Sequence, residues 1–363
     1  MKRLLATVVA LVIVAVLALL LWPSPVDPVA YQPPEAPELK GPLAPNQRLQ
    51  QVQLLAVGQV TGPEDVAVDD QGRVYGGTDS GTIVRISRDG RVEPWADTGG
   101  RPLGLAFDAE GNLIVCDAWK GLLSIAPDGQ ITVLTTEAEG EPFAFTDDVD
   151  IAADGTIYFS DASSRFHQPD YKLDLLETRP HGRLLKYEPD TGETTVLLDD
   201  LYFANGVAVD PQERFVLVNE TWHYRVQRLW LSGEKAGQYE IFADNLPGFP
   251  DGIARDDSGR FWVAMPTPRN PSIDRIHPYP WLKAIVAKLP ESAQPQPVSY
   301  GFALALNESG EVLASLHDPS GEHLQEITSV EPHDGVLYFG TLHNDRIGRL
   351  PLSAVPELEE AQP

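Results

Sequence analysis

The sequence predicts an all-β chain: a six-bladed β-propeller behind an N-terminal transmembrane signal anchor. Three observations predict it. A unit of short paired strands recurs along the chain. An acid or amide returns to the same place in most copies. An apolar run stands at the N-terminus behind Lys2 and Arg3.

The apolar run covers Leu4 to Trp22. At about nineteen residues it is long enough for a helix across ~30 Å of hydrocarbon. A cleaved signal has a shorter apolar centre and a small-x-small site, and LALLLWPSP offers none. Trp22 at the exit fits an interfacial anchor. The expectation is an uncleaved signal anchor over residues 1–22, with the membrane as a partner. The basic residues would stay in the cytoplasm, and the rest of the chain would lie on the periplasmic or extracytoplasmic side. Residues 23–48 are rich in proline and read as a stiff extended tether. The propeller is assigned to residues 49–352 and an acidic tail to 353–363.

Within the propeller, GPEDVAVDDQGRVYGG carries Glu64, FTDDVDIAADGTIYFSD carries Asp147, FANGVAVDPQERFVLVNE carries Asn205 and FPDGIARDDSGRFWVAM carries Asp251. Each oxygen side chain opens an apolar strand. A turn rich in Asp, Gly or Pro follows, then a second strand of β-branched and aromatic residues. RPLGLAFDAEGNLIVCDAWKG has Leu103 at the equivalent place, and ITSVEPHDGVLYFGTL has Thr328. That makes six inner strands at roughly 40 to 75 residue intervals, near the propeller periods once insertions are counted. Outer pairs such as TIVRISRDGRVEPWA turn at DG and read as hairpins. Four strands in each of six units suggest a ring of blades. QVQLLAVG is placed to supply the missing outer strand of the last blade. Asp79, Asp117 and Asp161, after second strands, are expected to satisfy turn backbone.

Two insertions break the beat. RFHQPDYKLDLLETRPHG follows the second strand of the third unit, and RNPSIDRIHPYPWLKAIVAKL that of the fifth. Both have partial helical spacing and leave at the same end of the ring, as caps over one mouth. The net charge of −26 repels phosphate backbones and excludes nucleic acid as a partner. Cys116 is the single cysteine, so no intramolecular disulfide forms.

Equivalent positions of stacked repeats converge on the axis. Glu64, Asp147, Asn205 and Asp251 would therefore meet as three carboxylates and one amide. This all-oxygen set suits calcium or another divalent cation and leaves room for water and a substrate oxygen. Zinc is disfavoured without His or Cys. A cation there would polarise an ester or lactone carbonyl, and a carboxylate would take the proton from attacking water. Asp251 is the first choice for that base and Glu64 the second, with Asp148 orienting the site. The sequence has no G-x-S-x-G elbow and no phosphate-binding glycine loop.

The strings GRPLGL, CDAWKGL, YFSDASSRF, HGRLLKY, FANGV, GFPDGI, SLHDPSG and HDGVLYFGTL resemble the strictosidine-synthase-like proteins. These sit within the wider group of gluconolactonases, regucalcin-like proteins and paraoxonases. The resemblance covers nearly everything after the tether and is closest to a membrane-anchored branch. It implies a catalytic calcium in the central tunnel, with ligands at Glu64, Asp147, Asn205 and Asp251. Asp147 stands where the group usually has asparagine. The plant condensing synthase relies on a last-blade glutamate after a GEH segment. Here GEH is Gly321 to His323, and Gln325 or Thr328 takes the glutamate's place, with Glu326 nearby. His167, His181, His323 and His333 read as surface or capping residues. Three functions stay open: a calcium-dependent hydrolase of lactones or aryl esters, a non-catalytic tethered binding protein, and a condensing enzyme joining an amine to an aldehyde.

Overall fold

The computed structural model describes Thr7 and residues 22–360. Its framework is six antiparallel sheets of four strands. Blade 1 begins at Val66–Val68, blade 2 at Pro102–Phe107 and blade 3 at Thr146–Ile151. Blade 4 begins at Ala204–Val209, blade 5 at Ile253–Arg255 and blade 6 at Ile327–His333. Each first strand packs on the first strands of both neighbouring blades, and blade 6 packs back on blade 1. These six strands therefore enclose an axis. Ring closure follows the expected route. Gln53–Leu55 pairs with the third strand of blade 6, in the register Gln53 to Arg349, Leu54 to Gly348 and Leu55 to Ile347.

The alternation of the sequence explains the packing. Both faces of a blade are covered by its neighbours, so second strands such as Leu113–Asp117 and Phe215–Glu220 are buried throughout. Apolar clusters fill the gaps between blades. One joins Ala67, Tyr75 and Ile83 of blade 1 to Leu105, Leu113 and Val115 of blade 2. Turn aspartates hold the hairpins. Asp69 accepts from the N–H of Gln71 at 3.0 Å and of Arg73 at 2.9 Å, and Asp108 and Asp256 repeat the arrangement. Asp117 accepts from the N–H of Arg101, Trp119 and Lys120. Asp161 accepts from that of Ala144 and Phe145. Both satisfy loop backbone, as expected.

The two insertions are helical, as their spacing suggested. The first carries α1 (Tyr171–Glu177), and the second carries α2 (Pro271–Ile276) and α3 (Pro280–Val286). Asn270 caps α2 by accepting from the Ser272 N–H at 2.9 Å. At the C-terminal end, Val355 and Leu358 tuck into the apolar cluster of blades 5 and 6.

The anchor is corrected. The apolar run over 4–22 lies almost wholly outside the described residues. Among the described residues no helix is long and apolar enough to cross a membrane. The signal anchor, the membrane as a partner and the extracytoplasmic placement all rested on that helix. No described helix supports any of the three.

The inner strands approach so closely that glycine is required beside the axis. A Cβ on Gly206 would lie 2.5 Å from the Ile253 nitrogen and collide with the Asp251 carbonyl oxygen. Gly206 also donates its N–H to that oxygen at 3.0 Å. Gly206→Ala is expected to destabilise the protein by on the order of 3 kcal/mol, since strands locked in a ring cannot part to admit a methyl group. Thermal unfolding against the wild type checks this.

Candidate functional site

The first strands bring their opening residues to one cavity. Glu64, Leu103, Asp147, Asn205, Asp251 and Thr328, one from each blade, all line it. The cavity volume is about 150 Å³. On its floor, Glu64 is 8 % exposed and Asp147 and Asn205 are each 4 % exposed, while Asp251 is half-buried. Backbone bonds hold the floor residues in place. Asp251 donates its N–H to the Ala264 carbonyl at 3.0 Å, and Glu64 donates to that of Gly77 at 3.3 Å. The Thr328 hydroxyl donates to the Glu64 carbonyl at 2.6 Å, joining blade 6 to blade 1.

Burial dominates the electrostatics. It pushes Glu64 up to about 7, with Arg101 pulling down and Asp65 adding to the rise. Asp147 is driven well above the usual carboxylate range by burial, then by Glu64 and Asp251. Asp251 is raised by burial and by Glu64, and a hydrogen bond with the Asn205 side chain opposes the rise. Arg101 is itself buried, and its guanidinium donates to the Gly62 carbonyl at 3.0 Å.

Asp148 is not on the floor. One of its oxygens accepts from the Val149 N–H at 2.9 Å and the other from the Val207 N–H at 2.8 Å. It is a strut between blades 3 and 4 and acts on Asp147 and Asn205 through their backbones. Asp65 does the same between blades 1 and 2, accepting from Val66 and Leu105.

A second tier stands above the floor, two residues earlier in each blade. Phe145, Phe203 and Phe249 occupy it in blades 3, 4 and 5 and line the cavity. Phe145 and Phe203 meet edge to face with centroids 5.3 Å apart. Blade 6 has Glu326 in this tier, also lining the cavity. Its carboxylate is bonded to His343 Nδ1 at 2.6 Å, and that bond raises the His343 pKa. Glu326 holds a left-handed backbone, with φ at 49°, a strained conformation frequent at functional sites. The tier was readable in the strings FTD, FAN, FPD and EIT, each with its floor residue third. The oxygen ligands alone do not reveal it, because its phenylalanines are of a different chemical type. Gln325 bonds instead to Ser299. Glu326 is therefore the last-blade carboxylate that lines the cavity.

The insertions form the roof, as expected. Tyr171, Leu175 and Leu176 of α1 and Ile273 of α2 line the cavity. His167, His181 and His323 bond to the Ala144 carbonyl, Glu177 and the Val52 carbonyl. His333 stands by Asp334. None of the four lines the cavity.

Comparison with known proteins now decides the family. The strictosidine synthase family model matches residues 147–234, and the strictosidine synthase-like N-terminal model matches 41–86. Adipocyte plasma membrane-associated protein of Homo sapiens is 38% identical, over 93% of this chain and 86% of its own length. The chain belongs to the strictosidine-synthase-like family. A second member, strictosidine synthase-like 6 of Arabidopsis thaliana, is 37% identical over 87% of this chain and 85% of its own. The fold of this strictosidine-synthase-like chain recurs in a gluconolactonase from Xanthomonas campestris. The TM-score is 0.62 at 19% identity, covering 91% of this chain and 99% of the other. It recurs also in regucalcin, a calcium-binding protein from Agrobacterium tumefaciens. There the TM-score is 0.57 at 15% identity, over 82% and 90% of the two chains.

The floor suits a hard cation in donor type: three carboxylates and an amide. Among the described residues, however, no three His, Cys, Asp or Glu side chains form a preformed metal cluster. The donor set fits in kind, and the burial of its carboxylates supplies a test.

Glu64 titrates at about 7 in the fold against 4.5 when free. Between those values the folded state binds more protons than the unfolded one, so its contribution is present at low pH and is lost as pH rises through 7. Chelator-treated protein is therefore expected to melt lower at pH 8 than at pH 5. Calcium is expected to raise the melting temperature more at pH 8. Scanning fluorimetry at both pH values checks this, and equal indifference to calcium would remove the cation from the floor.

Proposed function

We propose that this chain is a calcium-dependent hydrolase of lactones or aryl esters, with Glu64, Asp147, Asn205 and Asp251 holding the ion. One observation carries the reading. Four oxygen side chains from four blades line the floor of a cavity whose walls and roof are largely apolar. The relatedness in fold to a gluconolactonase and to the calcium-binding protein regucalcin supports it.

Bound at the floor, calcium would supply positive charge to polarise the carbonyl and stabilise the developing oxyanion. The chain's own residues do the rest. Asp251 takes the proton of the attacking water as general base. Glu64 is the alternative base. Asn205, bonded to Asp251, orients that carboxylate. Phe145, Phe203 and Phe249 seat the apolar part of the substrate, and the roof excludes bulk water.

Glu64→Gln and Asp251→Asn keep shape and remove charge. Each is expected to cost on the order of a hundredfold or more in turnover, the scale of losing an acid–base or electrostatic group. A panel of lactones and aryl acetates, assayed with calcium and with chelator, measures it. Turnover no higher than in buffer would favour a propeller that binds its ligand without reacting.

The presence of Glu326 at the cavity favours a second reading, condensation of an amine with an aldehyde. Incubating the wild type and Glu326→Gln with tryptamine-like amines and aldehydes separates the two. The hydrolase reading expects no product from either. Product from the wild type alone would establish the condensing enzyme.

A further inference from the structure

The proline-rich stretch that precedes the ring lies across the outer side of the roof. Val26 is buried in an apolar cluster with Leu176 of α1 and Val286 of α3. The Asp27 N–H donates to the Glu177 carboxylate at 2.8 Å, and the Val29 N–H to the Glu177 carbonyl at 3.1 Å. Arg179 donates to the Asp27 carbonyl and carboxylate, both at 2.8 Å. Glu177 is the last residue of α1. Two residues further, the Tyr31 N–H donates to the carbonyl of His277, the residue that caps α2. The Tyr31 ring stacks on His223 with centroids 4.3 Å apart and meets His277 edge-on at 5.3 Å. Beyond it, the Pro34 and Glu35 carbonyls accept from Arg269 and Asn245.

The strap thus bonds to the ends of two helices that come from different insertions. Those helices present Tyr171, Leu175, Leu176 and Ile273 to the cavity on their other side. Leu176 touches both the strap cluster and the cavity. Other bonds pin the roof without the strap, among them that of the Tyr224 hydroxyl to Asp274 of α2 at 2.9 Å. Trp222 of the wall donates to Asp174 of α1 at 2.8 Å, and Lys283 of α3 donates to Thr178 at 2.8 Å.

We propose that residues 26–35 are a latch: they clasp the two insertions together, and their release governs how fast an apolar ligand enters and leaves the cavity. Tyr31 is the central residue, because its backbone and ring both reach α2 while its neighbours hold α1. The latch rests on the cavity being the ligand site but not on any particular reaction there.

The test uses the full chain with Tyr31→Ala, Tyr31→Phe as control, and Asp27→Ala as a second, exposed break in the strap. Hydrogen exchange reads the roof segments 167–181 and 270–289 against the blade strands. Stopped-flow fluorescence with 2-naphthol, a small neutral aromatic, reads entry and exit. Tyr31→Ala is expected to speed roof exchange about tenfold, the scale of losing two aromatic contacts, with blade strands unchanged. Both 2-naphthol rates are expected to rise while their ratio moves far less. Tyr31→Phe keeps both ring contacts and is expected to match the wild type. If Tyr31→Ala does not fold, Asp27→Ala is expected to shift roof exchange in the same direction by a smaller factor. Unchanged roof exchange in the folded variants, or faster exchange with unaltered 2-naphthol rates, would overturn the latch. So would a wild type that binds no 2-naphthol. Hydrolysis that is absent while the roof responds as expected would sink the hydrolase and leave the latch standing.

Discussion

Everything in this molecule depends on six strand starts being crowded around one axis. The crowding is tight enough that blade 4 needs glycine at 206 and blade 5 at 252, where a Cβ would fall 2.6 Å from the Thr328 carbonyl oxygen. Side chains just before these points have nowhere to go except the axial cavity. When three of them are carboxylates, burial and mutual repulsion raise their affinity for protons. An arrangement of this kind opposes folding unless protons or a cation neutralise it. Stability comes from elsewhere, from apolar clusters that fill every gap between blades. The chemistry of the axis and the stability of the ring are thus carried by separate residues.

The cavity is not symmetric, although the ring nearly is. In the tier above the floor, blades 3 to 5 contribute phenylalanines, while blade 6 contributes Glu326 with His343 behind it. In blades 1 and 2 the same tier holds Gly62 and Arg101, which bond to each other. Of these tier residues, the three phenylalanines and Glu326 line the cavity, so its wall is apolar at blades 3 to 5 and carries a carboxylate at blade 6. Repeats supply the scaffold, and departures from the repeat supply the selectivity.

The struts show how nearly identical residues divide their tasks. Glu64 and Asp65 are adjacent, as are Asp147 and Asp148. In each pair the first side chain faces the cavity, and the second accepts a backbone N–H from the next blade. Alternation along a strand separates them. Composition cannot distinguish a ligand from its neighbour; the side of the strand can.

By itself the sequence determined the number of blades, the strand that closes the ring, the four oxygen side chains of the floor and the two insertions above it. These are local or periodic features, and period and turn chemistry are written residue by residue. Only the tertiary structure decided the rest. It placed Glu326 rather than Gln325 at the cavity. It turned Asp148 into a strut, and it brought residues 26–35 onto helices more than a hundred residues away. It also left the expected membrane helix without support among the described residues. The physical reason is common to the first three. Which side chains meet depends on where distant segments dock, and docking energy is summed over contacts that no single stretch of sequence contains.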